Sequence, residues 1–252
     1  MPHINYFTKE LEILNKRIFF SREHNIMFLT TPKCGSQFTK LFCLLNLIDD
    51  LSKSAFQQTL FIDQEQHSSN NKNVVEDYFR KWANNNPVNM DDLNNSSIKK
   101  YQIVRDPYKR LISFISSNLN KLGDSDDSPI LNKCVGKDKL FTEQYLLRSI
   151  IKYLKEPHQN VSEFSGKINI GYYSLYEHLF PQHDWLFSKY FQPIKLEDLD
   201  EFLKDNYDYI IPKKQNFKHH TQHKFESKLD QETKDQIYEL FRDDFKNLNY
   251  EK

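Results

Sequence analysis

The chain has 252 residues, 38% of them hydrophobic and 14% aromatic, with a mean hydropathy of −0.75. Lys plus Arg and Asp plus Glu balance at 35 each, so no global field draws the protein to nucleic acid or a membrane surface, and any anion site has to be local. Distinct apolar segments argue against wholesale disorder, none approaches the ~20 residues of a membrane span, and the length suits one large domain over residues 1–252. Cys34, Cys43 and Cys134 have no metal-ligand spacing and are too few for a disulfide framework. They suit a reducing compartment, and Met1 leads into polar and charged residues rather than a secretory signal, so a soluble cytoplasmic protein is expected.

Ile18 to Phe20 predict a short edge strand, and Ile26 to Leu29 a first buried strand. A turn through Thr31, Pro32, Lys33, Cys34, Gly35 and Ser36 follows, then a helix to about Asp49 with Phe38, Leu41, Phe42 and Leu45 on one face. Residues 50–73 are polar and weakly periodic, a loop with room for one short helix. Residues 74–83 predict an amphipathic helix carrying Val74, Val75, Tyr78, Phe79 and Trp82, and 84–97 an Asn-rich surface connection. Tyr101 to Val104 form the second buried strand. It runs into Arg105, with Asp106 as cap and Pro107 as first residue of a helix reaching about Leu119. Residues 120–138 read as a mobile insertion, Thr142 to Lys155 as a helix, and 156–176 as loop. Tyr190 to Leu196 predict a third strand interrupted by Pro193, and Glu197 to Asn206 a helix. Residues 212–224 form a basic, His-rich loop, and Leu229 to Asn247 a closing amphipathic helix with Ile237, Leu240, Phe241 and Phe245 inward.

Strands followed by helices at these spacings imply an α/β fold, a mostly parallel central sheet flanked by helices. In such sheets ligands sit beyond the carboxyl ends of the strands, where the turns after Leu29 and Val104 both lie. A strand, a tight turn with one Lys and one Gly, and a helix can hold a phosphate-like anion. Backbone N–H groups at the helix start point at it, Lys33 supplies charge and Gly35 allows close approach. The same pattern also suits an ordinary corner with a surface lysine. It does not fit GxxxxGK[ST], because Lys33 precedes the glycine, and a kinase would also need a Mg²⁺-binding Ser or Thr there.

Two motifs stand together: TPKCGSQFTK at 31–40 and YQIVRDPYKRLISFI at 101–115. The pair resembles the PAPS-dependent sulfotransferases, especially the carbohydrate (Golgi-type) group and its bacterial relatives. There a PKxGS/T loop holds the 5′-phosphosulfate and an RDPxxRxxS segment the 3′-phosphate. Arg105, Asp106, Pro107, Arg110 and Ser113 match the second motif in full. EHLFPQHDWLF at 177–187 looks like the family's HxxPQ segment, IKLEDLDEFL at 194–203 like its E-D-L segment, and YELFRDDFKNLNY at 238–250 like its closing helix. The match covers roughly 25–250 in patches and departs at Gln37, where family loops usually place Thr.

The resemblance implies a fold related to P-loop nucleotide kinases, with insertions at about 50–97 and 120–175 on the acceptor side. The implied reaction is sulfuryl transfer from PAPS to an acceptor hydroxyl or amine on a small molecule or glycan, with a sugar hydroxyl favoured, releasing PAP, with no metal. Lys33 would stabilise the leaving group. The backbone of Cys34, Gly35, Ser36, Gln37 and Phe38, with the Ser36 hydroxyl, would cradle the 5′-phosphosulfate. Arg105 and Ser113 would take the 3′-phosphate, and Arg110 either touches ligand or packs its helix. Cys34 is not expected to act as a nucleophile, since the transfer needs no covalent intermediate. The acceptor proton needs a base near neutral pH. His178 is the first choice, with His67, Glu65 and Glu76 as alternatives. The basic loop at 213–224, with Lys218 and Lys224, either closes over the ligands or is solvated. A protein that binds PAP without transferring is the rival from another class. Oligomeric state is open.

Overall fold

The computed structural model describes residues 14–48, 70–119, 147–148, 151–152, 181–183, 187–207 and 229–252. These fall into two compact units, the first built from segments up to Val104 together with 184–218, the second from 105–183 and 219–252.

The first unit is built on a four-stranded sheet in the order β1 (Ile18–Ser21), β2 (Ile26–Thr30), β3 (Lys99–Val104), β4 (Gln192–Lys195). β1 runs antiparallel to β2 with Ile18 opposite Leu29. β2–β3 and β3–β4 are parallel, with Thr30 opposite Ile103 and Val104 opposite Lys195. The sheet is thus mixed and mostly parallel, as the strand–helix spacing implies. β2 is central and buried at every position, which explains its unbroken apolar run. Among the described residues β4 is an edge strand, where the missing N–H of Pro193 breaks no inner ladder.

Side chains alternate between two apolar layers. Phe19, Ile26, Phe28, Tyr101, Ile103 and Ile194 face α1 (Ser36–Asn46), α2 (Asn70–Asn85) and α5 (Leu199–Asn206). Ile18, Phe20, Met27 and Leu29 face the other way, against Leu14, Val88, Ile98, Phe191 and Leu93 of α3 (Met90–Asn94). Burying each such side chain contributes about 1.5–3 kcal/mol. Aromatic contacts join strands to helices: Phe19 stacks on Trp82 with ring centroids 5.4 Å apart, and Phe28 meets Phe42 edge-on.

Several predicted boundaries shift. α2 begins at Asn70 rather than at residue 74. The stretch 84–97, expected to be a connection, contains α3. Asn89 accepts from the Asp92 N–H at 2.9 Å and Asp92 accepts from the Asn89 N–H at 3.1 Å, a capping box written with Asn and Asp, and Leu93 anchors the turn in the core. Tyr190 belongs to a single 3₁₀ turn, Ser188–Tyr190, ahead of β4.

The second unit packs α4 (Pro107–Leu119), α6 (Gln231–Leu240) and α7 (Arg242–Asn247) around Leu111, Ile112, Phe114, Ile115, Leu147, Ile151, Ile237, Phe241 and Phe245. Asp106 caps α4 as expected, accepting from the Lys109 N–H at 3.0 Å. The expected single closing helix is broken at Phe241, whose φ of −115° and ψ of 26° leave the helical region. The break accompanies the complete burial of Asp244, whose carboxylate bonds backbone outside the helix. Among the described residues no helix is long and apolar enough to cross a membrane. The readings of 50–69, 120–138, 156–176 and 212–224 lie outside the described residues, as does most of 142–155.

Candidate active site

β2 delivers the chain into a loop whose backbone is unusual. The Cys34 N–H donates to the Thr31 carbonyl at 3.1 Å, closing a four-residue turn with Pro32 second and Lys33 third. A turn of this kind suits proline at the second position and needs a positive φ at the third. Lys33 has φ 65°, a left-handed conformation that costs a side-chain-bearing residue about 1 kcal/mol. Gly35 is left-handed again, with φ 69° and ψ 25°, while Cys34 between them is not. Left-handed residues alternating with right-handed ones turn successive N–H groups toward one concave side, an anion-holding arrangement.

α1 starts at once. Its N-cap, Gly35, has no side chain to bond the first turn, and no acidic residue stands there. The N–H groups of Ser36 and Gln37 have no intrahelical carbonyl to bond, and the positive end of the helix dipole faces the loop. A Cβ on Gly35 would overlap the Leu196 Cδ1 methyl, so any larger residue at this left-handed position requires the tip of Leu196 to shift. Leu196 is held by its N–H, which donates to the Val104 carbonyl at 2.7 Å, and Gln102 Nε2 donates to Thr31 Oγ1 at 3.1 Å. The loop is thereby fastened to β3 at both its start and its glycine.

Behind the loop lies a charged pair that helical periodicity does not announce. Lys40 is buried on α1, its Nζ 2.7 Å from Glu76 Oε2 on α2 and 4.4 Å from the centroid of the Phe79 ring. Burial holds the Lys40 ammonium below the usual lysine value, against the opposing pull of Glu76. Burial pushes the Glu76 carboxyl up, but the Lys40 charge and hydrogen bond, with Arg17 and Arg80, outweigh it and leave the group below the ordinary carboxylate value. Gln37 Nε2 donates to the same Glu76 oxygen at 3.4 Å, while its buried Oε1 has no hydrogen-bond partner among the described residues. Cys34 is wholly buried, with Sγ 3.6 Å from the Pro32 carbonyl. Burial pushes the Cys43 thiol well up.

In the second unit, Arg105 opens the segment that continues from β3. Its N–H donates to Gln182 Oε1 at 2.8 Å and its carbonyl accepts from Gln182 Nε2 at 2.7 Å. Gln182 and His183 donate their own N–H groups to Asp244 Oδ2 and Oδ1 at 2.9 and 2.8 Å, and His183 Nδ1 lies 2.8 Å from Oδ1. Ser113 is half-buried on α4 and Arg110 is buried.

Lys33, Cys34, Gly35, Ser36, Gln37 and Phe38 therefore share one loop and helix start in the first unit, with Glu76 beside Gln37. Arg105 and Ser113 belong to the second. His178, His67, Glu65, Lys218 and Lys224 lie outside the described residues. Sequence reasoning misses the Lys40–Glu76 pair and assigns no task to Gln182 or Asp244, although both stand in segments, 177–187 and 238–250, that resemble the family's. A buried hydrogen-bonding role leaves no periodic trace.

The loop and the RDP segment also fall within a longer match. A sequence model of the sulfotransferase family matches residues 16–251. Comparisons with curated proteins and with solved structures returned no significant match. With the match running through both units and nearly the whole chain, this protein belongs to the sulfotransferase family and is a PAPS-dependent enzyme of sulfuryl transfer.

Proposed function

We propose that the enzyme sulfates a hydroxyl group of a carbohydrate acceptor, using the 31–38 loop for the 5′-phosphosulfate and Arg105 with Ser113 for the 3′-phosphate. The observation that carries this reading is the loop backbone. Two left-handed residues flank Cys34, and an uncapped helix follows with no acid in its first turn. A site built to repel anions would put a carboxylate there; this one leaves donors and a lysine.

PAPS, when bound, supplies the activated sulfuryl group and leaves as PAP. The chain contributes positioning and charge, the two effects that dominate transfers of this kind. Lys33 places its ammonium where the leaving phosphate gains charge. The N–H groups of Gly35 to Phe38 and the Ser36 hydroxyl orient the oxygens of the 5′ group, whereas the Cys34 N–H, expected among them, is taken by the Thr31 carbonyl and shapes the turn instead. The Gln37 amide stands in for the usual Thr and is steadied by Glu76. Arg105 offers a planar donor fork to a terminal phosphate. His178 takes the acceptor proton, since an imidazole titrates near neutral pH. Glu76 is poorly suited to that task, because its carboxyl is already bonded to Lys40 and held low. The carbohydrate acceptor rests on the resemblance of the paired motifs, and a cytoplasmic location on the low cysteine content. No metal is assigned a part.

The test is calorimetric titration with PAP beside 5′-AMP, followed by labelled PAPS with a panel of glycans. PAP binding about tenfold or more tighter than AMP is expected, with label appearing on a sugar hydroxyl. Equal binding of the two nucleotides would remove the 3′-phosphate site. Tight PAP binding with no transfer to any acceptor would make the protein a PAP binder.

A further inference from the structure

We propose that Gln182 and Asp244 are positioning residues that set the backbone at Arg105, and so give the enzyme its preference for a 3′-phosphorylated nucleotide. The inference rests on the reading that Arg105 takes the 3′-phosphate, and adds how that arginine is aimed.

Arg105 is the residue at which β3 has ended and α4 has not begun. Val104 still bonds Leu196, and Asp106 already caps Lys109. Between them, the Arg105 peptide groups have no regular ladder to join, and groups left so would choose their own φ and ψ. Gln182 supplies what a neighbouring strand would: one amide accepts the Arg105 N–H at 2.8 Å and donates to its carbonyl at 2.7 Å. The direction of the Cα–Cβ bond, hence of the guanidinium, follows from the backbone so held.

Gln182 is itself immobilised. It is wholly buried, and its N–H donates to Asp244 Oδ2 at 2.9 Å. Asp244, also wholly buried, holds the next residue through the His183 N–H and Nδ1, each 2.8 Å from Oδ1. A carboxylate in such surroundings is costly unless donors surround it. Here the donors come from the segment carrying Gln182, so a displacement of Asp244 is passed to Gln182 and on to the Arg105 peptide. Ser113, on the helix that Arg105 leads into, depends on the same starting direction.

Calorimetry with PAP and 5′-AMP on wild type, Arg105→Ala, Gln182→Met and Asp244→Asn tests this. A loss of folded fraction lowers stoichiometry for both nucleotides alike, whereas misaiming Arg105 lowers affinity for PAP alone. Gln182→Met is expected to weaken PAP about tenfold or more, with AMP changed less than about twofold. Asp244→Asn is expected to move PAP in the same direction. In turnover, KM for PAPS rises while kcat at saturation stays close to wild type. Loss of the PAP preference in Arg105→Ala with its retention in Gln182→Met and Asp244→Asn overturns the positioning role and leaves Arg105 as the phosphate ligand. Retention in Arg105→Ala overturns both. Should Gln182→Met not fold, Gln182→Glu keeps the acceptor and regains the donor on protonation. Its PAP preference, relative to wild type at each pH, is then expected to climb as pH is lowered, and a flat ratio overturns the proposal.

Discussion

Leu196 Cδ1 occupies the space that a Cβ on Gly35 would need. The contact joins the residue after β4 to the turn after β2, across the carboxyl end of β3, and makes glycine at position 35 a matter of both space and φ. Gly35→Ala should lose about 1–2 kcal/mol from the left-handed conformation, and a further ~1 kcal/mol from overpacking. Leu196 has a flexible tip, so the double variant with Leu196→Ala should recover the packing part and leave the conformational part. Urea unfolding of the two single variants and the double variant measures the split. Equal losses from Gly35→Ala in both backgrounds would refute the contact.

Lys33 carries its charge from a conformation that favours glycine. Lys33→Ala and Lys33→Gly both remove the ammonium, and both should lower kcat more than they lower PAP affinity. The two should differ in stability, with the glycine variant more stable by about 1 kcal/mol because only it adopts φ 65° without strain. Thermal unfolding alongside turnover checks this. An alanine variant as stable as the glycine one would mean that the turn relaxes.

Removing one partner of the Lys40–Glu76 pair should cost unequal amounts. Glu76→Ala leaves an ammonium buried without its carboxylate, at about 3–5 kcal/mol. Lys40→Met fills the same volume and leaves a carboxylate that is a quarter exposed and 3.4 Å from Arg80, so it should cost less. Chemical denaturation of the two variants gives the comparison, and equal costs would refute the asymmetry.

The same pair sets opposite limbs of the pH profile. Glu76 has its folded-state carboxyl lowered, so its stabilisation is whole above the unfolded value of about 4.3 and is lost as pH falls through the lower folded value. Lys40 has its folded-state ammonium lowered, so the unfolded chain holds more protons between that value and about 10.4, and stability recovers as pH rises through this window. Glu76→Gln should flatten the acid limb and steepen the alkaline one. Denaturation midpoints across both ranges decide the matter, and an unchanged acid limb would show that other carboxylates control it.

Arg105→Ala should weaken PAP far more than adenosine 5′-phosphosulfate, since only PAP carries the 3′-phosphate. Competition against labelled PAPS gives both constants, and similar losses for the two would remove Arg105 from that role.

Local pattern was enough for the pieces of this protein whose cause is local. The apolar run of β2, the Pro32–Lys33–Gly35 turn and the Asp106–Pro107 helix start are each produced by side chains a few residues apart, and each stands where the residues put it. The paired motifs were legible for the same reason. Whatever depends on partners far along the chain was not. Lys40 lies on an α1 surface buried nearly all round, because α2 brings Glu76 and Phe79 over it. Phe241 interrupts the closing helix where Asp244 turns inward to bond Gln182 and His183 about sixty residues earlier. Gln182 reaches across a similar separation to the backbone of Arg105. Periodicity reports which face of an element is apolar. A buried polar bond is set by the one atom that arrives opposite it, and only the folded chain decides which atom that is.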